Sequence, residues 1–114
     1  MKFKEVQELF FKYEEKRHEL LEQTQTFFLK KKFRPYVWFD EKHRLRIKHK
    51  YPRNIQIFTF DETNRERAEL YETIEEFVEQ TGLRIRFIQE YGDTDKTLPE
   101  KIQTQWTTEF ILEV

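Results

Sequence analysis

Three prolines and two glycines (Pro35, Pro52, Pro99, Gly82 and Gly92) are the only strong breakers of regular structure in 114 residues. Average chains carry several per cent of each, so this one is built from a few long elements joined at few places. Nothing interrupts a helix before Pro35. Phe3, Val6, Phe10, Tyr13, Arg17, Leu20, Thr24 and Phe27 recur at alternating steps of three and four, which predicts one helix from residue 3 to about 30. Leu9, Leu21 and Phe28 widen its apolar stripe. Lys30, Lys31 and Lys32 close it, where cations favour the negative end of the helix dipole.

Past Pro35 the period changes. Residues 36–40 predict a short strand rich in aromatic and β-branched side chains. Residues 44–51 alternate: Arg44, Arg46, Lys48 and Lys50 fall on one face, with Leu45, Ile47 and His49 on the other. Asp40–His43 would join the two as a hairpin. Pro52 then marks a break, and residues 54–60 predict a third strand. A second helix is expected over Thr63–Thr81, capped by Asp61 or Thr63 with Glu66, and stopped by Gly82. Leu70, Tyr71, Ile74, Phe77 and Val78 form its apolar face. Residues 83–91 predict a fourth strand, with Leu83, Ile85 and Phe87 on one side and Arg84 and Arg86 on the other. A polar loop is expected over residues 92–100, then a fifth strand from Thr104 to Val114.

The expected fold is therefore α+β: a long N-terminal helix, then β-β-β-α-β-β. It implies a mostly antiparallel five-stranded sheet with both helices on one face, in a single domain over residues 1–114. Hydrophobic residues make up only 37% of the chain and charged residues 38%. Twelve Phe, five Tyr and two Trp compensate. Each large ring buries about 150–250 Å², so few positions suffice for a core. Phe10, Leu20, Phe27, Ile57, Leu70, Ile74, Phe77, Ile85, Phe87 and Phe110 are the expected core.

The net charge of −1 conceals a partition. Residues 29–53 carry ten Lys and Arg against Asp40 and Glu41, a net +8, and residues 54–82 carry two Arg against eight acids, a net −6. The basic block also holds Tyr36 and Trp38. Cations that track phosphates, interleaved with rings on which bases stack, are what single-stranded nucleic acid requires. The candidate binding residues are Lys30, Lys31, Lys32, Arg34, Tyr36, Trp38, Arg44, Arg46, Lys48, Lys50, Arg84 and Arg86. The bland reading is a solvated strand face whose lysines discourage sheet-to-sheet pairing. A pI near 6.3 and the lack of an RNA-binding consensus count against the sharper one.

Chemistry is hard to find. Neither Ser nor Cys occurs, so the commonest nucleophiles are missing, as are disulfides and thiolate metal sites. No two of His18, His43 and His49 have helical metal-site spacing, and His49 is expected to be a half-buried structural residue. The turn at Gly92–Asp95 lacks the twelfth-position Glu of a calcium loop. No phosphate-cradling glycine motif is present. No cofactor and no metal is expected, and the chain reads as non-enzymatic.

Two functions from different classes remain. One is a small accessory protein that binds nucleic acid, single-stranded or backbone-directed, through the basic-aromatic hairpin. The other is a protein-binding module (inhibitor, adaptor or chaperone-like homodimer) that uses the long helix or the charge-segregated sheet against an acidic surface. A homodimer through residues 3–30 is suggested by a helix reaching ~40 Å at 1.5 Å per residue. Arg17 and Thr24 weaken that stripe as a zipper, and packing on the chain's own sheet is the simpler use of it. The N-terminus lacks an apolar signal region and no run approaches bilayer length, so a soluble cytoplasmic protein without membrane contact is expected.

Overall fold

The computed structural model describes residues 14–53 and 61–113, with side chains for 17–53 and 64–113. In order these form α1 (Glu14–Lys30), β1 (Tyr36–Phe39), β2 (Leu45–Lys50), α2 (Asp61–Thr81), β3 (Arg84–Thr94), a 3-10 turn at Glu100–Ile102 and β4 (Thr104–Glu113). The four strands make one sheet in the order β1-β2-β4-β3, with every neighbouring pair antiparallel. The α+β class is as expected. Residues 3–13 of the expected first helix, the expected strand at 54–60, the core positions Phe10 and Ile57 and the capping side chains of Asp61 and Thr63 lie outside the described residues.

Strand alternation sorts the sheet into two faces. On β2, Leu45 and Ile47 are fully buried and His49 nearly so, while Arg46 and Lys48 are only half-buried and Lys50 is exposed. On β4, Phe110 and Leu112 point the same way as Leu45 and Ile47 and are likewise fully buried. Both helices cover this inner face. Leu70 and Ile74 of α2 are fully buried, and Phe77 packs its ring at 5.3 and 5.7 Å from Phe27 and Phe28 of α1. Tyr71 meets Phe110 edge-on at 5.4 Å, which ties α2 to the sheet.

The described part of the α1 stripe is spent on the chain's own core. Leu20, Thr24 and Phe28 are all buried. Thr24 is tolerated there because its hydroxyl donates to the Leu20 carbonyl at 2.7 Å, one turn back. The helix closes without glycine. Phe33 N–H donates to the Phe28 carbonyl and Lys32 N–H to that of Leu29, both at 2.9 Å, with Lys32 left-handed at φ 66°. Phe28 and Phe33 are both buried beneath that turn, which supplies its apolar contact. At the end of α2 the same conformation falls on Gly82 (φ 71°), whose N–H reaches the Val78 carbonyl at 2.8 Å.

Two expectations on β3 are corrected. A bulge between Ile85 and Phe87 leaves Arg86 without an opposite residue and turns Phe87 to face Ile111, so its ring is 53% exposed instead of in the core. The strand also runs past Tyr91 to Thr94, where a loop was expected. Gly92 makes that continuation possible, since a Cβ there would come 2.8 Å from Thr104 Cγ2 and 3.2 Å from the Trp106 ring. A side chain at this position would have to displace the Thr104 methyl and shift the Trp106 ring slightly.

Phe77→Ala should cost ~3–5 kcal/mol in urea unfolding, whereas Phe87→Ala should cost well under 1 kcal/mol. Equal losses would contradict the placement of the two rings. Lys32→Val should destabilise by about 1–2 kcal/mol through the left-handed backbone, with Lys32→Gly tolerated. Thermal melts of the two variants read the difference.

Candidate nucleic-acid interface

On the outer face of the sheet the register lines side chains up in rows that cross the strands. One row runs Trp38, Arg46, Ile111, Phe87, and the next runs Tyr36, Lys48, Glu109, Gln89. A third contains Lys50, Thr107 and Tyr91. The structure thus brings together six of the candidate residues: Tyr36, Trp38, Arg44, Arg46, Lys48 and Lys50. Ile111 and Glu109, in mid-sheet, are each only 6% exposed, and Thr107 is fully buried.

The cations are not alone on this face. Asp40, at the hairpin turn, accepts Arg44 Nε at 2.9 Å and Arg46 Nε at 3.0 Å through Oδ2. Its Oδ1 accepts the Lys42 and Arg44 amides at 2.9 and 3.0 Å. The turn itself is closed by the Asp40 and His43 amides, and His43 takes the left-handed position (φ 59°). Burial by itself would raise the Asp40 carboxyl, but the Arg44 amide, the two guanidinium groups and the Lys42 amide outweigh it and hold it at about 2. Glu109 accepts Arg46 Nη1 at 2.9 Å and the Tyr91 hydroxyl at 3.3 Å. The pKa of Arg46 is raised chiefly by Asp40, and that of Lys48 chiefly by its hydrogen bond to Tyr91. The two arginines are therefore largely neutralised within the sheet. Lys50 is different: its Nζ stands 5.4 Å from the centre of the Tyr36 ring, which is 60% exposed.

The other candidates lie elsewhere. Lys31 bonds Glu76 of α2 at 3.0 Å, on the helix layer. Lys30, Lys32 and Arg34 are exposed at the end of α1 and in the turn that follows. Arg84 pairs with Glu113 at 3.0 Å on the far edge strand, and Arg86 is exposed at the bulge. Because β4 with its Glu109 separates β2 from β3, these two do not join the strip into one continuous positive surface. The sequence reading missed Phe87 and Tyr91 as outer-face rings. The signal for Tyr91 is its even spacing from Gln89 and Asp93, and none marks the bulge that exposes Phe87.

A second polar cluster lies between α2 and the inner face. Glu90 accepts Arg67 Nε at 2.7 Å and Nη2 at 3.0 Å, the Tyr71 hydroxyl at 2.9 Å and the Thr108 hydroxyl at 3.2 Å. Burial works to raise its pKa, but these donors hold it below the ordinary value. Tyr51 is fully buried with its hydroxyl 3.0 Å from Thr108 Oγ1, and burial pushes its pKa up to about 12. His49 sits between the Phe33 and Tyr51 rings at 5.3 and 4.6 Å, with Nε2 3.5 Å from Glu66 Oε1. It was expected to be half-buried and is 8% exposed, with no hydrogen bond to Nε2 among the described residues. Among the described residues no group of three His, Cys, Asp or Glu side chains could hold a metal ion, and no helix is long and apolar enough to cross a membrane.

Comparison with protein-family models, curated proteins and solved structures finds no match to this chain.

Asp40 gives the face a pH dependence. Its carboxyl falls from 3.8 to about 2 on folding and is only 12% exposed. It therefore adds up to ~2 kcal/mol of stability that is complete above about pH 4 and is lost as the pH falls towards 2. Asp40→Asn should remove this component, so that the variant and the parent converge in stability at acid pH. Chemical denaturation at several pH values checks it.

Proposed function

We propose that this chain is a small non-enzymatic accessory protein that binds single-stranded nucleic acid on the outer face of β1 and β2. The observation that carries the reading is the exposed Tyr36 ring with the Lys50 ammonium over it, on a face that also presents Trp38 and Lys48. A base stacks on Tyr36 while its phosphate meets Lys50. Successive outward residues on β2 are ~6.6–6.8 Å apart, close to the phosphate spacing of an extended strand. Arg44 and Arg46 take a lesser part, because a phosphate must compete with Asp40 for them. The interface is backbone-directed and tolerant of sequence.

A second reading is favoured by that same pairing of Arg44 and Arg46. A sheet whose charges are already matched suits a protein partner, as an adaptor, inhibitor or chaperone-like module would need. The two readings separate in one experiment, an anisotropy titration of labelled oligo-dT and oligo-U at rising salt. Under the nucleic-acid reading affinity falls steeply with salt, and Lys48→Ala and Lys50→Ala each lower the slope by about one unit or less. Tyr36→Ala should weaken binding about 5- to 150-fold. Absence of binding at ~0.1 M salt, or binding indifferent to these variants, would transfer the face to the protein-binding reading.

A further inference from the structure

We propose that the free edge of β3 pairs antiparallel with β3 of a second copy about a two-fold axis at Gln89, joining two four-stranded sheets into one. This does not rest on the nucleic-acid reading. Among the described residues β3 is the longest strand, at 11 residues, and lies at the end of the sheet, paired to β4 on one side along Arg84–Thr94. Among the described residues no strand occupies its other side. An unpaired strand edge offers a row of amides and carbonyls to any extended chain. Native edges are commonly blunted by proline, lysine, shortness or bulges. β3 contains neither proline nor lysine, and its one bulge lies near its start, at Arg86.

The occupant is set by the order of residues along the strand. With Gln89 on the axis, Phe87 of each copy lies opposite Tyr91 of the other. Both rings are on the outer face, Phe87 opposite Ile111 and Tyr91 opposite Thr107 within their own sheet. Each Phe87, 53% exposed, then gains one aromatic cross-strand partner, which makes two such pairs in the dimer. The basic start of each strand, Arg84 and Arg86, comes to the end where the other copy carries Asp93 and Asp95. Asp93 is exposed, and so is Arg84, whose guanidinium also bonds Glu113 of its own chain at 3.0 Å. Gln89, at the axis, is exposed and can donate and accept an amide hydrogen bond with its own copy. A parallel arrangement would instead set Arg84 against Arg84 and Asp93 against Asp93. The strand is self-complementary only in the isologous sense.

The chain's lack of cysteine makes the register testable. At the axis the two Gln89 Cα atoms would be about 4.5–5.5 Å apart, inside disulfide range. The two Phe87 positions would be separated by roughly 13 Å along the strand, outside it. The parent chain is first examined by sedimentation equilibrium across the micromolar range. Gln89→Cys, Phe87→Cys and Glu79→Cys, the last on the exposed side of α2, are then oxidised with glutathione disulfide. The expected result is a monomer–dimer equilibrium, with Gln89→Cys cross-linking at least tenfold faster than either of the others. A parent that is monomeric throughout overturns the proposal. So do equal cross-linking rates in the three variants, or a dimer in which Gln89→Cys fails to cross-link.

Discussion

The period of two on β2 is the constraint from which the rest of the architecture follows. Leu45, Ile47 and His49 are buried on one face, and Arg44, Arg46, Lys48 and Lys50 project from the other. A slip of one residue would bury the cations and expose the aliphatic set, so the pairing has no near alternative. With β2 flanked by β1 and β4, its register fixes theirs, and so decides which surface the helices cover. Phe110 and Leu112 follow Ile47 and Leu45 into the core. The outward face inherits a composition that no helix could cover without stranding charge.

Carboxylates then settle what each face can do. Asp40 and Glu109 hold the outward arginines, and Glu90 holds Arg67 on the inner side while drawing Tyr71 and Thr108 to the same point. Among the described residues, the Lys31–Glu76 ion pair joins the basic and acidic segments, and His49 Nε2 lies 3.5 Å from Glu66 Oε1. Glu69, Glu72, Glu75 and Glu79 of α2 remain exposed on the helix layer. These carboxylates make the helix layer the negative side of the described molecule.

Local patterning carried much of the fold. The faces of β2, the extent of α2 and its stop at Gly82 were legible because each depends on neighbours in sequence. Features that depend on distant residues were not. The bulge at Arg86, which exposes Phe87, is a property of the β3–β4 pairing, and nothing in the order Ile85-Arg86-Phe87 encodes it. The run through Gly92 depends on the Trp106 ring. Arg46 and Glu109 are 63 residues apart, so counting cations on one strand overstated the free charge of the candidate site. Tyr36 and Lys50 were both singled out, but their contact across the hairpin could not be inferred from composition.

The two indoles stand on opposite sides of the sheet. Trp38 is in line with Arg46 on the outer face, and Trp106 packs over Gly92 against the core. Their emission is accordingly separable by environment. The half-exposed Trp38 responds to quenchers and to whatever occupies the outer face, and Trp106 responds to the integrity of the interior. One spectrum of the unlabelled protein thus distinguishes occupancy from unfolding, and replacing either indole with Phe assigns each component.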